Sequence, residues 1–353
     1  MHAVYRWWEK QFYTIRSSGD YNIPWLVHYR DLLIKIQKRT LIIEINQVRA
    51  TKLIDYLNEV LDQAIRVQQI PFEQIIFDAS VDPFIEEKKK TDILNNFVKE
   101  KGIVGYLSLS QWNLKQHSHL IEIFYPSVLW MFTSQLQYRD LDLSPKSTLY
   151  SCLNRNPVWH RLLLYTLLKK NNLLEHFIYT FHDRSPYNGD VINPGYYNAR
   201  MWQDFKEYYY QSIIDIADFP IVYPNDQPGL NDHSINHDAY NIAECNIVTE
   251  SSTEYNFTSE KVWKPIAAGQ LFHVVGSCGT LQWLESLGYL TWDDGYDKIK
   301  NTVQRIEAVV DLIGNQSQWS KENLEKIKHN HKLFSSGTVE KNLIDSVLAI
   351  LNT

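Results

Sequence analysis

Cysteine is scarce: Cys152, Cys245 and Cys278 are the only three in 353 residues. They are far apart, odd in number and form no C-x-x-C pair, so neither a zinc ribbon nor a disulfide framework is indicated. A reducing compartment is the expectation. Long apolar runs are missing too, since none approaches the ~18 residues a membrane span requires. The opening stretch MHAVYRWWEKQFYTIRSSGD is too polar for a signal peptide. A cytosolic protein, or the soluble fragment of an anchored one, is expected, without stable membrane insertion. Positive charge is in deficit, with a formal net charge of −6. No global basic field therefore advertises nucleic acid or an anionic membrane, although a local patch would not show in that sum. Internal repeats and low-complexity tracts are also lacking.

What is present suits a soluble globular chain: 44% apolar and 22% charged residues, at a length that fits two domains of ordinary size. The 22 tyrosines and 11 tryptophans are generous. Such side chains line sugar or base sites, and more often fill cores.

Patterning along the chain alternates. Residues 39–48 read as a strand, 50–67 as a helix, 72–80 as a strand carrying Asp78 near its end, and 102–110 as a third strand. This alternation predicts a parallel sheet with crossover helices. A polar break at 137–147 sets expected domains of 1–143 and 144–353. A second series then begins: strand 148–154, helix 158–170, strand 177–182, and a stretch rich in Asn, Asp, Pro and Tyr from 183 to about 240 that contains a helix at 199–217. Strands at 245–251 and 271–276 and a run of helices complete it. The fold class expected is α/β, with two such domains in series.

Ligands of open α/β sheets bind beyond the carboxyl ends of the strands, and three strand ends here carry suitable polar residues. In LNRNPVWHR, Asn154 and Arg155 sit in the turn, with His160 and Arg161 in the first helical turns. Helix N–H groups and guanidiniums make an anion site; taken alone, ordinary turn chemistry with solvated arginines is favoured. In IVTES, Thr249 and Glu250 end a strand, and the carboxylate suits either a ligand hydroxyl or a cap. In FTSEKVWKPIAAG, Thr258 or Ser259 caps a helix bearing Glu260, Lys261 and Lys264. Lys261 and Lys264 share a face and Glu260 can pair with Lys264. Pro265 withholds the N–H due to the Lys261 carbonyl, so it shortens or kinks the helix. A solvated amphipathic helix is the plainer alternative, but the proline and the GSCGT turn behind it favour a compact site.

These pieces, in this order, carry a resemblance. Residues 257–299, FTSEKVWKPIAAGQLFHVVGSCGTLQWLESLGYLTWDDGYDKI, resemble the donor-binding segment of fucosyltransferase-like and exostosin-like glycosyltransferases. The similarity is strongest to a subgroup frequent in phages and marine bacteria that carries a T-E-K-x-x-K-P pattern and a G-S-x-G-x-L turn. LNRNPVWHR and IVTES resemble that subgroup's strand ends, so the likeness spans roughly the C-terminal 200 residues. Ser259 stands for the pattern's threonine and keeps the hydroxyl. The D-E-x-Y-D element is DDGYD here, lacking the glutamate and leaving Asp294, Tyr296 and Asp297.

The resemblance implies a GT-B architecture, two Rossmann-like domains facing a cleft, with a nucleotide sugar held mainly by the C-terminal domain and the acceptor by the N-terminal one. It implies donor-binding roles for Asn154, Arg155, His160, Arg161, Thr249, Ser259, Lys261, Lys264, Gly276, Tyr296 and Asp297. Arg155, Arg161 and Lys261 would be the fixed cations that stabilise the departing diphosphate, so no metal or other cofactor is expected. Glu250 and Glu260 would meet ribose or sugar hydroxyls. An inverting reaction needs a base for the acceptor hydroxyl, for which Asp78 is the candidate, with Asp82 and Glu44 behind it.

Other matches are weaker. The DLD at 140–142 fits a metal motif formally but falls in the break between domains. His233 and His237, flanked by Asp232 and Asp238, lie in a loop without helical periodicity. HNH at 329–331 lacks a nuclease context, and the sequons at Asn256 and Asn315 have no use in a cytosolic protein. The expected activity is transfer of a sugar, possibly GDP-fucose-like in its donor, onto a glycan. Transfer onto a hydroxymethylated DNA base is the alternative within the class, disfavoured by the negative net charge. A catalytically inactive sugar-binding or scaffold protein is the alternative outside it.

Overall fold

The computed structural model describes residues 2–6, 11–15, 35–45, 48–68, 72–79, 87–109, 112, 114–115, 117–124, 141–144, 146, 148–154, 158–181, 240, 243–315 and 321–353. The chain divides into two compact units, residues 1–131 with 340–353, and residues 132–339. The sequence reading carried the second domain to 353, whereas residues 340–353 group with the first unit. One cause is local: Asn352 accepts the Gln37 N–H at 3.1 Å and donates to the Lys35 carbonyl at 3.3 Å.

The first unit is built on a six-stranded sheet of order β2-β1-β3-β4-β5-β6. Its strands are β1 (His2–Arg6), β2 (Gln11–Ile15), β3 (Thr40–Glu44), β4 (Gln74–Ala79), β5 (Val104–Leu109) and β6 (Leu120–Phe124). The β1–β2 pair is antiparallel, and all other neighbours are parallel. The β1–β2 hairpin and β6 were not expected, because their short runs are interrupted by polar residues and show no continuous apolar stretch. Helices α1 (Ala50–Gln68) and α2 (Glu87–Lys101) follow β3 and β4, as the alternation predicts. On α1, Leu53, Leu57, Val60, Leu61 and Ala64 recur at helical spacing and pack with Leu41, Ile43, Ile75 and Phe77 of the sheet. Ile42 and Ile76, on the opposite pleat, are buried as well. A sheet covered on both faces explains why β3 and β4 read as unbroken apolar runs rather than alternating ones. Gly105 lets α2 approach β5 closely, since a Cβ there would lie 2.3 Å from Val98 Cγ1.

The second unit holds four parallel strands in the order β10-β9-β7-β8. They are β7 (Thr148–Leu153), β8 (Phe177–Thr180), β9 (Ala243–Thr249) and β10 (Leu271–Val275). Helix α3 (Trp159–Lys170) is buried from Trp159 to Leu168, which is why its sequence has no polar face. Then come α4 (Glu260–Ala268), α5 (Thr280–Ser286), α6 (Thr302–Asn315) and α7 (Lys321–Ser335), followed by α8 (Thr338–Leu351), which from residue 340 groups with the first unit. Among the described residues no helix is long and apolar enough to cross a membrane.

One topological feature positions the site. The chain leaves β7 for β8 on one side and later returns to β9 on the other. At such a reversal the connections diverge to opposite faces and open a crevice at the carboxyl ends of the two central strands. Here those ends are Asn154, just past β7, and Thr249 and Glu250, at and just past the end of β9.

Candidate functional site

The two strand ends are locked together by side chains. The Thr249 hydroxyl donates to Asn154 Oδ1. The Asn154 N–H donates to Thr180 Oγ1, whose hydroxyl returns a bond to the Asn154 carbonyl, both at 3.0 Å. Thus the ends of β7, β8 and β9 form one buried polar network, with every bond internal to the second unit. Satisfied networks of this kind fix geometry, because any misplacement leaves a buried polar group unpaired.

The first turn of α3 reaches the same place. His160 Nε2 donates to the Glu250 carbonyl at 2.9 Å. Arg161 Nη2 lies 3.2 Å from the Thr249 carbonyl and 3.3 Å from that of Glu250. Both side chains are buried, so the solvated arginine favoured for this segment on its own is corrected for Arg161. An apolar helix lies around it, and its charge is held by backbone carbonyls. Burial, and then the Arg161 guanidinium beside it, lower the His160 pKa to about 3. The imidazole is therefore neutral and Nε2 carries the proton that the Glu250 carbonyl accepts.

Glu250 is fully buried and anchors the start of α4. Its carboxylate accepts the Ser259 N–H at 3.0–3.1 Å and the Ser259 hydroxyl at 2.6 Å. Ser259 in turn is the N-cap, taking the Lys261 N–H at 3.3 Å. Burial raises the Glu250 pKa, against the Lys261 charge and the Ser259 bonds that lower it. Of the two roles left open for Glu250, its oxygens serve the cap.

Glu260 and Lys261 lie on the opening turn of α4. Lys261 Nζ donates to Glu260 Oε1 at 2.7 Å, with side chains 24% and 16% exposed, and approaches Ser259 Oγ at 3.3 Å and Ser251 Oγ at 3.4 Å. The ion pair on Glu260 is made by Lys261, where the sequence reading had Lys264 as its partner. Lys264 still acts on Glu260 through its field. Burial raises the Glu260 pKa, and Lys261 and Lys264 outweigh it, bringing the group to about 2.

Pro265 lies inside α4, which continues three residues beyond it. Helix α4 runs nine residues and stops at Gly269, whose φ is 68°. The Gln270 N–H bonds the Pro265 carbonyl at 2.9 Å and the Gly269 N–H bonds that of Ile266 at 3.2 Å, the paired closure that a left-handed glycine permits. Underneath, Trp263 is buried with its ring 6.0 Å from Trp283, 5.8 Å from Tyr289 and 6.5 Å from Phe334. That cluster fixes the rotation of α4, leaving Glu260 and Lys261 partly exposed on its opening turn.

Gly276, just past the end of β10, lies against Glu250: a Cβ there would stand 3.4 Å from Glu250 Cγ and 3.1 Å from Thr280 Oγ1. Tyr296 and Asp297 stand behind this turn. The Tyr296 hydroxyl takes the Val274 N–H of edge strand β10 at 3.0 Å, and Asp297 Oδ2 takes the Leu281 and Gln282 N–H groups at 3.0 and 3.1 Å, capping α5. Both are buried supports in this structure, and Asp294 is exposed.

Sequence reasoning missed Arg305. It is buried beside the same turn and bonds the Gly276 carbonyl at 2.8 Å. Its signal was present, since Thr302, Arg305, Ile306, Val309 and Ile313 share one helical face, and a lone arginine in an apolar stripe is a buried arginine.

The remaining assignments fall elsewhere. Arg155, Asp82, His233, His237 and the helix expected at 199–217 lie outside the described residues. Asp78 belongs to the first unit, 0% exposed, with Glu44 and Ser108 as its register partners on β3 and β5. Among the described residues no three His, Cys, Asp or Glu side chains gather as a metal site would require.

No protein-family model and no curated protein sequence matches this chain. Solved structures do resemble it. OtsA in its apo form aligns over 94% of this chain and 76% of its own, at 11% identity and a TM-score of 0.45. TarM aligns over 93% and 57%, at 10% and 0.47. An alpha1,3-fucosyltransferase aligns over 89% and 91%, at 10% and 0.38. None of these scores reaches 0.5, so the chemistry below rests on this chain's own residues.

Proposed function

We propose that the chain is a GT-B glycosyltransferase that moves a sugar from a nucleoside-diphosphate donor to a hydroxyl of a glycan acceptor. What supports this reading is the partly exposed Glu260–Lys261 pair, beside Ser251 just past β9 and backed by Glu250, His160 and Arg161. An acid and a base side by side suit a ligand that offers both hydroxyls and anionic oxygens, as a nucleotide sugar does. Lys261 would turn to the phosphate oxygens, and Glu260 would accept from a ribose or sugar hydroxyl.

As the bond from sugar to diphosphate breaks, negative charge grows on the leaving phosphate. Fixed cations stabilise that charge best when they need no rearrangement at the moment of reaction. Lys261 supplies the nearest one, and Arg161 adds its field from behind the Thr249 and Glu250 carbonyls. Arg155, Lys264 and the glycine turn at Gly276 are proposed to complete the phosphate side, without a bound metal. Asp78 is proposed to deprotonate the acceptor hydroxyl in an inverting reaction, with Glu44 beside it.

The test is a thermal-shift panel of UDP, GDP, CMP, dTDP and ADP sugars, because a ligand of the native state raises the melting temperature. One class of donor should stabilise the protein, Lys261→Ala should weaken it at least tenfold, and transfer should survive EDTA. A donor that binds Lys261→Ala as tightly as wild type would refute the site. Donor binding with no transfer or hydrolysis would instead favour a sugar-binding protein without activity.

A further inference from the structure

Arg305, on α6, is 1% exposed and among the largest fully buried side chains. Its Nη2 donates to the Gly276 carbonyl at 2.8 Å, to Thr302 Oγ1 at 3.2 Å and to the Thr253 carbonyl at 3.4 Å. Its Nη1 donates to the Ile299 carbonyl and lies 3.5 Å from that of Lys300. One fork therefore joins the loop after β9, the end of β10 and the turn before α6. These segments frame Glu250, since Thr253 follows it closely and Gly276 packs against its side chain.

The charge of this fork is not matched by a bonded carboxylate. The nearest buried acid in its field, Asp297, gives Oδ2 to the backbone of α5. Arg305 Nε and Thr253 Oγ1 each meet no partner among the described residues. A buried guanidinium held only by carbonyls and a hydroxyl, with a donor to spare, is unfavourable unless its field acts on something else. Arg161 bonds the carbonyls at the end of β9, Lys261 approaches Ser251 just past it, and Arg305 bonds the carbonyls of Thr253 and Gly276, so all three cations touch the segments around Glu250.

We propose that Arg305 is a positioning residue for a diphosphate: its fork sets the loops after β9 and β10 so that they and Lys261 meet one anion, whose charge Arg305 then offsets from behind. This rests on the nucleotide-sugar reading above and names a residue that reading does not require. Lysine keeps the charge but not the planar fork that reaches several carbonyls at once. Positioning by the fork therefore predicts that Arg305→Lys fails to restore binding, although it keeps the sign of the field.

The experiment is calorimetric titration of wild type, Arg305→Lys and Lys261→Ala with inorganic pyrophosphate, with the stabilising nucleoside diphosphate, and with its phosphate-free nucleoside. Arg305→Lys is expected to lose at least tenfold in affinity for both phosphate ligands while the nucleoside binds unchanged. Wild-type phosphate affinity in Arg305→Lys overturns the inference, and so does an equal loss for the nucleoside, which marks general loosening. If Arg305→Lys does not fold, Thr302→Val keeps the arginine and removes one anchor, and a loss of about threefold is expected for the phosphate ligands alone. Weakened binding in Lys261→Ala with intact binding in Arg305→Lys removes this inference and leaves the proposed function standing. A wild-type protein that binds neither phosphate ligand removes both.

Discussion

His160 offers the sharpest quantitative test of the site's architecture. Its ordinary pKa is 6.5, and in the folded protein burial followed by the Arg161 charge takes it to about 3. The unfolded chain therefore binds a proton between those values that the folded chain does not. Stability must fall as pH falls through that window, beginning near 6.5, and the penalty is absent above it. At pH 5 the unfolded imidazole is almost fully protonated and the folded one is not, so the loss attributable to this group is about 2 kcal/mol. Other groups titrate over the same range, so the quantity to measure is a difference. His160→Gln keeps a donor for the Glu250 carbonyl but cannot ionise. Equilibrium urea unfolding, followed by tryptophan emission at pH 7 and pH 5, should show wild type losing about 2 kcal/mol more than the variant. Trp159, whose ring lies 5.6 Å from that of His160, supplies a local reporter. Equal losses in the two proteins would refute the reasoning, because His160 would then have to be solvated or its charged form stabilised by the fold.

Three further outcomes are expected. Gly269→Ala should destabilise by more than about 1 kcal/mol in thermal or urea unfolding, since its left-handed φ excludes a side chain and the added Cβ would stand 1.9 Å from Leu141 Cδ1. Trp263→Ala should cost about 3–5 kcal/mol by emptying the aromatic cluster beneath α4, with donor affinity falling as Glu260 and Lys261 lose their orientation. Asp297→Ala should lower stability by about 1 kcal/mol, because the Leu281 and Gln282 N–H groups lose their acceptor; unchanged unfolding would mean that the α5 start is capped some other way.

The strands and helices of the second unit that bear the site were legible because each carries its own signal. Helix α3 announces itself by length, and β9 and β10 by uninterrupted apolar runs. The N-cap at Ser259 follows from short-range backbone chemistry and could be read from neighbouring residues, whereas the helix runs past Pro265, the residue expected to shorten it, and stops at Gly269. The β1–β2 hairpin and β6 could not, since polar residues interrupt them and they become strands only when a partner edge satisfies their N–H and C=O groups.

The site itself divides in the same way. The residue types gathered at strand ends were visible in sequence, including Asn154, His160, Arg161, Glu250 and Lys261. Their partners were not: Lys261 rather than Lys264 on Glu260, carbonyls rather than solvent on Arg161, and Arg305 arriving from a helix beyond the recognisable segment. By itself the sequence determined the alternation that makes two α/β units and the local caps that place charge at strand ends. Only the tertiary structure decided which charges are buried and what they touch, because burial and hydrogen-bond partnership are set by elements distant in the chain, such as α6 against the turn of β10, whose meeting no local pattern encodes.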